Sequence, residues 1–264
     1  HDIKSTVLTS NDITFNEKKS ELYFSIRSFI EKDESGHMNA LSTSLRKFDV
    51  EDAGKISGQI ARDSRNPTKG NKGSYDVIFG PMAISPLLNV IGESSSIFSV
   101  ETGLSFFANK KNKKIGSKKI TIFDDGTLPG GVNSVKADCE GVATKKNALI
   151  EEGIFKQYLH NTSTARKYKT ESTGNAGLIS PSPWNIVVEK GDFNLAEMVK
   201  KIRKGIYVTN VWYTRFANYH TGDFSTIPRD GTFLIQKGKI VRSLKNIRIS
   251  ENILRMLQGV DAVE

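Results

Sequence analysis

The stretch DDGTLPGGVNSVKADCEGVATKKNALIEEGIFKQYLHNTSTARKYKTESTGN, residues 124–175, places glycines, acids and turn residues where core packing alone would not ask for them. It opens with Asp124 and Asp125 before Pro129-Gly130-Gly131, and Pro-Gly and Gly-Gly pairs turn a backbone tightly. A second acid cluster, Asp138-Cys139-Glu140-Gly141, precedes Leu149 to Phe155. There an apolar pair, a turn ending in Gly153 and another apolar pair predict a β-hairpin. Ser163 to Lys167 reads as a short helix, closed by Ser172-Thr173-Gly174-Asn175-Ala176-Gly177.

The flanks extend this pattern. Ile3 to Ile30 alternates over short runs separated by Asn-Asp and Asn-Glu-Lys-Lys turns, which predicts antiparallel strands. Asp49 is placed to cap a helix carrying Ala53, Ile56, Ile60 and Ala61, and Pro67 and Gly70 cannot continue it. Tyr75 to Gly80 reads as a buried strand, followed by a helix with Ile84, Leu87, Leu88 and Ile91 on one stripe. Asn194 to Ile202 predicts an amphipathic helix and Ile206 to Trp212 a strand, with Tyr213, Arg215, Phe216 and Tyr219 in a following loop. Phe233 to Ile240 is a second hairpin; its Leu234 to Gly238 echoes Leu149 to Gly153, as shared turn chemistry explains. The expectation is an α+β fold of mostly antiparallel, mixed sheets with three or four packed helices.

Composition narrows the function. The 264 residues carry 38 Lys and Arg against 29 Asp and Glu, a net charge of +9, which suits an acidic partner. The lysines are spread, however, and the one dense run, Lys110 to Lys114 with Lys118 and Lys119, reads as a solvated loop rather than a nucleic-acid site. One cysteine, Cys139, excludes an internal disulfide and a thiolate zinc cluster, so a cytoplasmic setting is expected. Isolated cysteines are usually small buried hydrophobes, and no base stands near it in sequence. No apolar run approaches a bilayer span. The four histidines, His1, His37, His160 and His220, share no ligand spacing. The acids Asp124, Asp125, Asp138 and Glu140 admit two readings, a general acid/base pair or, preferred, turn caps paired with Lys136 or Arg166.

The order DDGTLPGG, DCEGVAT, LIEEGIFKQYL, STARK and STGNA, with Thr221-Gly222-Asp223-Phe224-Ser225 and Ile249 to Leu254 downstream, resembles the TldD/PmbA family, known as modulators of DNA gyrase and as microcin-processing metalloproteases. The resemblance covers roughly Tyr75 to Gln258. It implies that residues 1–74 end an N-terminal α+β region and that 75–264 form the TldD/PmbA C-terminal domain. It further implies a fragment, with an additional domain before His1 and a segment beyond Glu264 that carries a cysteine ligand in catalytic members. Catalytic members carry the zinc motif HExxxH on the helix after Gly80-Pro81. Here Asn89, Val90 and Ser94 occupy the first histidine, glutamate and second histidine positions.

Asn and Ser are poor zinc ligands and Val cannot take a proton, so catalysis by this chain alone is doubtful and no metal or cofactor is expected in it. The expected role is that of a PmbA (TldE)-like subunit, working with a zinc-bearing TldD-type subunit or as a homodimer. It would hold unfolded peptide, with Asp138, Glu140, Gly174 and Asn175 near the substrate cleft. Two other readings compete: a nucleic-acid- or gyrase-associated binding protein without protease activity, and a zinc-independent hydrolase using the acid cluster. The family's glycine-rich turn is absent at Tyr213 to Asn218.

Overall fold

The computed structural model describes residues 1–10 and 13–264. Strands β1 (Asp2–Leu8) and β2 (Thr14–Ser20) form an antiparallel pair. Strands β3 (Leu22–Glu31) and β4 (Glu34–Ser42) form another, covered by helix α1 (Val50–Asp63). Asp49 caps α1 by accepting from the Asp52 amide at 2.8 Å, as its placement predicts. The helix lies so close to β4 that a Cβ on Gly36 would sit 2.1 Å from the Ser57 carbonyl oxygen. Glycine is required there, and the Ser57 hydroxyl uses the approach to donate to the Gly36 carbonyl at 2.9 Å.

The remaining chain builds two sheets with a helix between them. After β5 (Thr68–Lys69) and β6 (Asp76–Phe79) come α2 (Pro81–Ser94) and the single-turn α3 (Ile97–Glu101). Strands β7 (Ile122–Asp125), β8 (Lys146–Glu151) and β9 (Ile154–Phe155) then lead to α4 (Thr162–Lys167), β10 (Ile186–Val188) and α5 (Leu195–Lys201). Last are β11 (Lys204–Asn218), β12 (Asp223–Gln236), β13 (Lys239–Lys245), β14 (Ile249–Asn252) and α6 (Ile253–Gln258). The smaller sheet runs β10-β7-β8-β9 and the larger β5-β13-β12-β11-β6, with β14 also paired to β12. Pairing is antiparallel except β6 with β11 and β5 with β13.

Both predicted hairpins form through left-handed residue pairs, Glu152-Gly153 (φ 46° and 77°) and Lys237-Gly238 (φ 50° and 76°), the geometry that fits strand twist. The main core lies where α2 meets both sheets. Leu87 and Ile91 are fully buried against Ile122, Leu149, Phe155, Phe216 and Leu257 among others. Phe107 stacks on Phe155 with ring centroids 4.5 Å apart. Each such side chain contributes about 1.5–3 kcal/mol through burial.

Among the described residues six α-helices form, against the three or four expected. The additional ones, α3 and α6, have five and six residues, too short to show helical periodicity. Tyr213 to Asn218 is not a loop: β11 continues through it, paired with β12. Its aromatics divide. Phe216 is buried and stacks on Tyr219 at 5.1 Å, whereas Trp212, Tyr213 and Tyr219 are exposed. Most of the lysines of 110–119 are exposed around the buried Ile115. Among the described residues no helix is long and apolar enough to cross a membrane.

Candidate functional site

The block that opens the sequence reading folds into a set of loops tied by buried polar groups. Asp124 is fully buried at the end of β7. One carboxylate oxygen accepts from the Trp184 amide at 2.6 Å and the other from the Asn175 side-chain amide at 2.6 Å. Asn175 also donates to the Ser182 carbonyl at 3.0 Å and accepts from Asn147 at 3.1 Å. Asn147 in turn donates to the Thr173 carbonyl at 3.0 Å. Burial pushes the Asp124 carboxyl up to about 6, against the pull of the Asn175 and Trp184 donors.

Asp138 performs the same task for the next loop. Its oxygens accept from three backbone amides, those of Glu140 at 3.0 Å, Val142 at 2.9 Å and Ala176 at 2.9 Å. Burial raises its pKa and the three amides oppose that rise. Glu140 accepts from the Thr162 amide at 2.8 Å, at the start of α4, where a carboxylate also complements the helix dipole. Gly174 (φ +70°) passes so close to the segment leading into β8 that an added Cβ would lie 2.5 Å from the Ala143 carbonyl oxygen. Its own carbonyl accepts from the Trp184 indole at 2.8 Å.

The four residues expected near a substrate cleft, Asp138, Glu140, Gly174 and Asn175, lie in these tied loops; the side chains of Asp138 and Asn175 are engaged inside the protein, and half-buried Glu140 holds the Thr162 amide. What they present to solvent is the next loop, Gly177 to Ser180. It is closed by the Gly177 amide on the Ser180 carbonyl at 3.0 Å and carries Leu178 and Ile179 at 93% and 86% exposure. Gly174→Ala combines a left-handed φ with a backbone clash, so a loss of about 2 kcal/mol is expected in urea denaturation.

Several expectations change at this point. The acids do cap turns, with Asp125 accepting from both the amide and the hydroxyl of Thr127. None of them forms an ion pair with Lys136 or Arg166 among the described residues; backbone amides take that place. Cys139 is exposed, not a buried small hydrophobe, because Asp138 beside it takes the interior position. Asn147, Ser182 and Trp184 escape the sequence reading. Their partners are close in space but Asp124 and Trp184 are 60 residues apart.

On α2 the substituted motif positions carry no set of metal ligands. Asn89 is exposed, Val90 packs against the main core and Ser94 is buried. With an amide, an isopropyl group and a hydroxyl as the available side chains, these positions do not fit a zinc ion. Among the described residues no three His, Cys, Asp or Glu side chains gather to hold a metal elsewhere.

The chain is thus an α+β domain with this helix between two largely antiparallel sheets and with loops pinned by buried Asp124 and Asp138. Residues 72–264 match the family described as PmbA/TldA metallopeptidase C-terminal domain. The chain belongs to the PmbA/TldD family. It is 33% identical over 202 residues to a metalloprotease of Methanocaldococcus jannaschii, covering 73% of this chain and 44% of that protein. A PmbA metalloprotease homologue of Buchnera aphidicola is 31% identical over 60% of this chain and 34% of its own length. The chain spans about half the length of the curated relatives it matches. Among solved structures, a Thermotoga maritima protein described as a modulator of a DNA gyrase superposes with a TM-score of 0.86 at 26% identity, over 94% of this chain and 58% of its own. TldE from Thermococcus kodakarensis superposes with a TM-score of 0.81, also at 26% identity and the same coverage.

Proposed function

We propose that this chain is a PmbA/TldE-like subunit that holds unfolded peptide for a zinc-bearing TldD-type partner and does not cleave peptide by itself. The observation that carries this reading is α2, where Asn89, Val90 and Ser94 offer neither imidazole nor carboxylate at the positions that the resemblance assigns to zinc and its base. The likeness to TldE supports it. The acid cluster lends nothing to zinc-independent hydrolysis, since the oxygens of Asp124 and Asp138 face protein donors and not a cleft.

Peptide would add as a strand to the open edge of β11. Strand β6 covers only Gly205 to Val208, and from Thr209 to Asn218 β11 has a strand partner on one side alone among the described residues. Trp212, Tyr213, Arg215 and Ala217 are exposed along it. Main-chain hydrogen bonding to such an edge accepts many sequences, which suits an unfolded substrate. An unfolded peptide labelled for fluorescence anisotropy should bind, and the same peptide N-methylated at alternate residues should bind at least about tenfold more weakly. Equal binding of the two would remove strand addition from the account.

A further inference from the structure

Beyond the strand edge, one face of the β11-β12-β14 sheet carries a row of polar side chains that the peptide reading does not use. Arg215 pairs directly with Ser225, and Ser225 with Ser250. Directly opposed residues of antiparallel strands share a face, so the guanidinium and the two hydroxyls stand side by side. The opposite face belongs to the core, through Phe216 and Phe224 and the Thr214 to Thr226 hydroxyl contact of 2.8 Å. Arg248 joins the row by donating to the Ser225 hydroxyl at 3.0 Å. Over this row lies a depression of about 330 Å³ that Arg215, Ser225, Ser250 and Arg255 help to line.

Charges in the depression are unevenly satisfied. Arg255 is held by Glu251 at 2.8 Å. Asp223 accepts from the Thr221 hydroxyl at 2.5 Å and from Asn252 at 2.9 Å, and these bonds hold its carboxyl below the usual range. Both acids therefore have donors of their own. Arg215 has neither an ion pair nor a hydrogen bond among the described residues, although its five N–H donors suit a planar oxyanion.

We propose that this face is a carboxylate-binding site, with Arg215 as its principal donor and the Ser225 hydroxyl on the neighbouring strand beside it, and that its ligand is an acidic side chain of a bound peptide. Arg215 lies on the strand whose edge is free, so a peptide paired with β11 passes within reach of it. The inference rests on the peptide reading and adds a preference to it. Strand addition supplies affinity without regard to sequence, and the arginine row selects for Glu and Asp.

The test compares an N-acetylated tetraglutamate amide with its tetraglutamine counterpart, binding to the whole chain at low salt. The glutamate peptide should bind about tenfold more tightly. Arg215→Gln should remove that difference, while Lys18→Gln, which deletes one exposed charge far along the chain, should leave it. Equal affinity for the two peptides, or the same loss from Lys18→Gln as from Arg215→Gln, would overturn the site and leave only a net-charge effect. The two readings fail separately. N-methylation probes the strand edge, and the Glu-to-Gln contrast probes the arginine row.

Discussion

Replacing Asp230 by alanine should destabilise the protein by about 3–5 kcal/mol in urea denaturation, the range for removing one partner of a buried ion pair. Asp230 lies in β12, nearly inaccessible, and one of its oxygens accepts from Arg27 Nε at 2.7 Å and from the Ser35 hydroxyl at 2.6 Å. Arg27 Nη2 reaches the same oxygen at 2.6 Å. Asn210 bonds His37 at 2.9 Å and the other carboxylate oxygen at 3.3 Å. Without the carboxylate, the Arg27 guanidinium, 29% exposed, and the buried Ser35 hydroxyl lose their acceptor together. This cluster joins β3 and β4 to the large sheet, so the loss should appear as early exposure of the β3-β4 hairpin to hydrogen exchange. A cost below about 1 kcal/mol would mean that Arg27 finds water instead, and that α1 and the Asn210–His37 bond hold the hairpin without the carboxylate.

The second large effect is a pH slope. Asp124 has a folded-state pKa of about 6 against an ordinary value of 3.8, because burial disfavours its charged form. The native protein therefore holds the proton more tightly than the unfolded chain. Its contribution is fully present below pH 3.8 and is lost as the pH rises through about 6. The size is about 3 kcal/mol, at roughly 1.36 kcal/mol per pKa unit. Asp124→Asn keeps the shape and removes the ionisation. The stability of the wild type relative to this variant should thus fall by about 2.4 kcal/mol between pH 4 and pH 7, other carboxylates cancelling in the difference. A flat difference would show that Asp124 titrates normally and that the Asn175 and Trp184 donors offset burial completely.

Much of the fold was legible because its punctuation is local. Glu152-Gly153 and Lys237-Gly238 specify hairpins through left-handed backbone, and Asp49 marks the start of α1 through one side-chain bond to an amide three residues on. Such features are complete within a few residues. The course of β11 was not legible past Trp212, since Tyr213 to Asn218 mixes aromatics, an arginine and asparagine, and three register shifts against β12 break the alternation that identifies a strand. The polar ties were half legible. The residue types of DCEG and STGNA pointed to tight turns, but nothing near Asp124 in sequence says that its partners are Asn175, 51 residues away, and the amide of Trp184. For the same reason the pairing of the acids with Lys136 or Arg166 was a reasonable expectation: local charge complementarity is visible in sequence and distant backbone amides are not.

The arrangement also separates what the conspicuous residues do from what a ligand would meet. Asp124, Asp138 and Asn175 fix the loops, and the side chains left outside are Leu178 and Ile179 on one loop and Trp212, Tyr213 and Arg215 on β11.

Cleavage of an unfolded peptide, measured with this protein alone in the presence of zinc and then with an HExxxH-bearing TldD-type relative added, tests the central claim most directly. The account predicts no cleavage by this protein alone and cleavage by the mixture, abolished by a chelator. Zinc-dependent cleavage by this protein alone would contradict it.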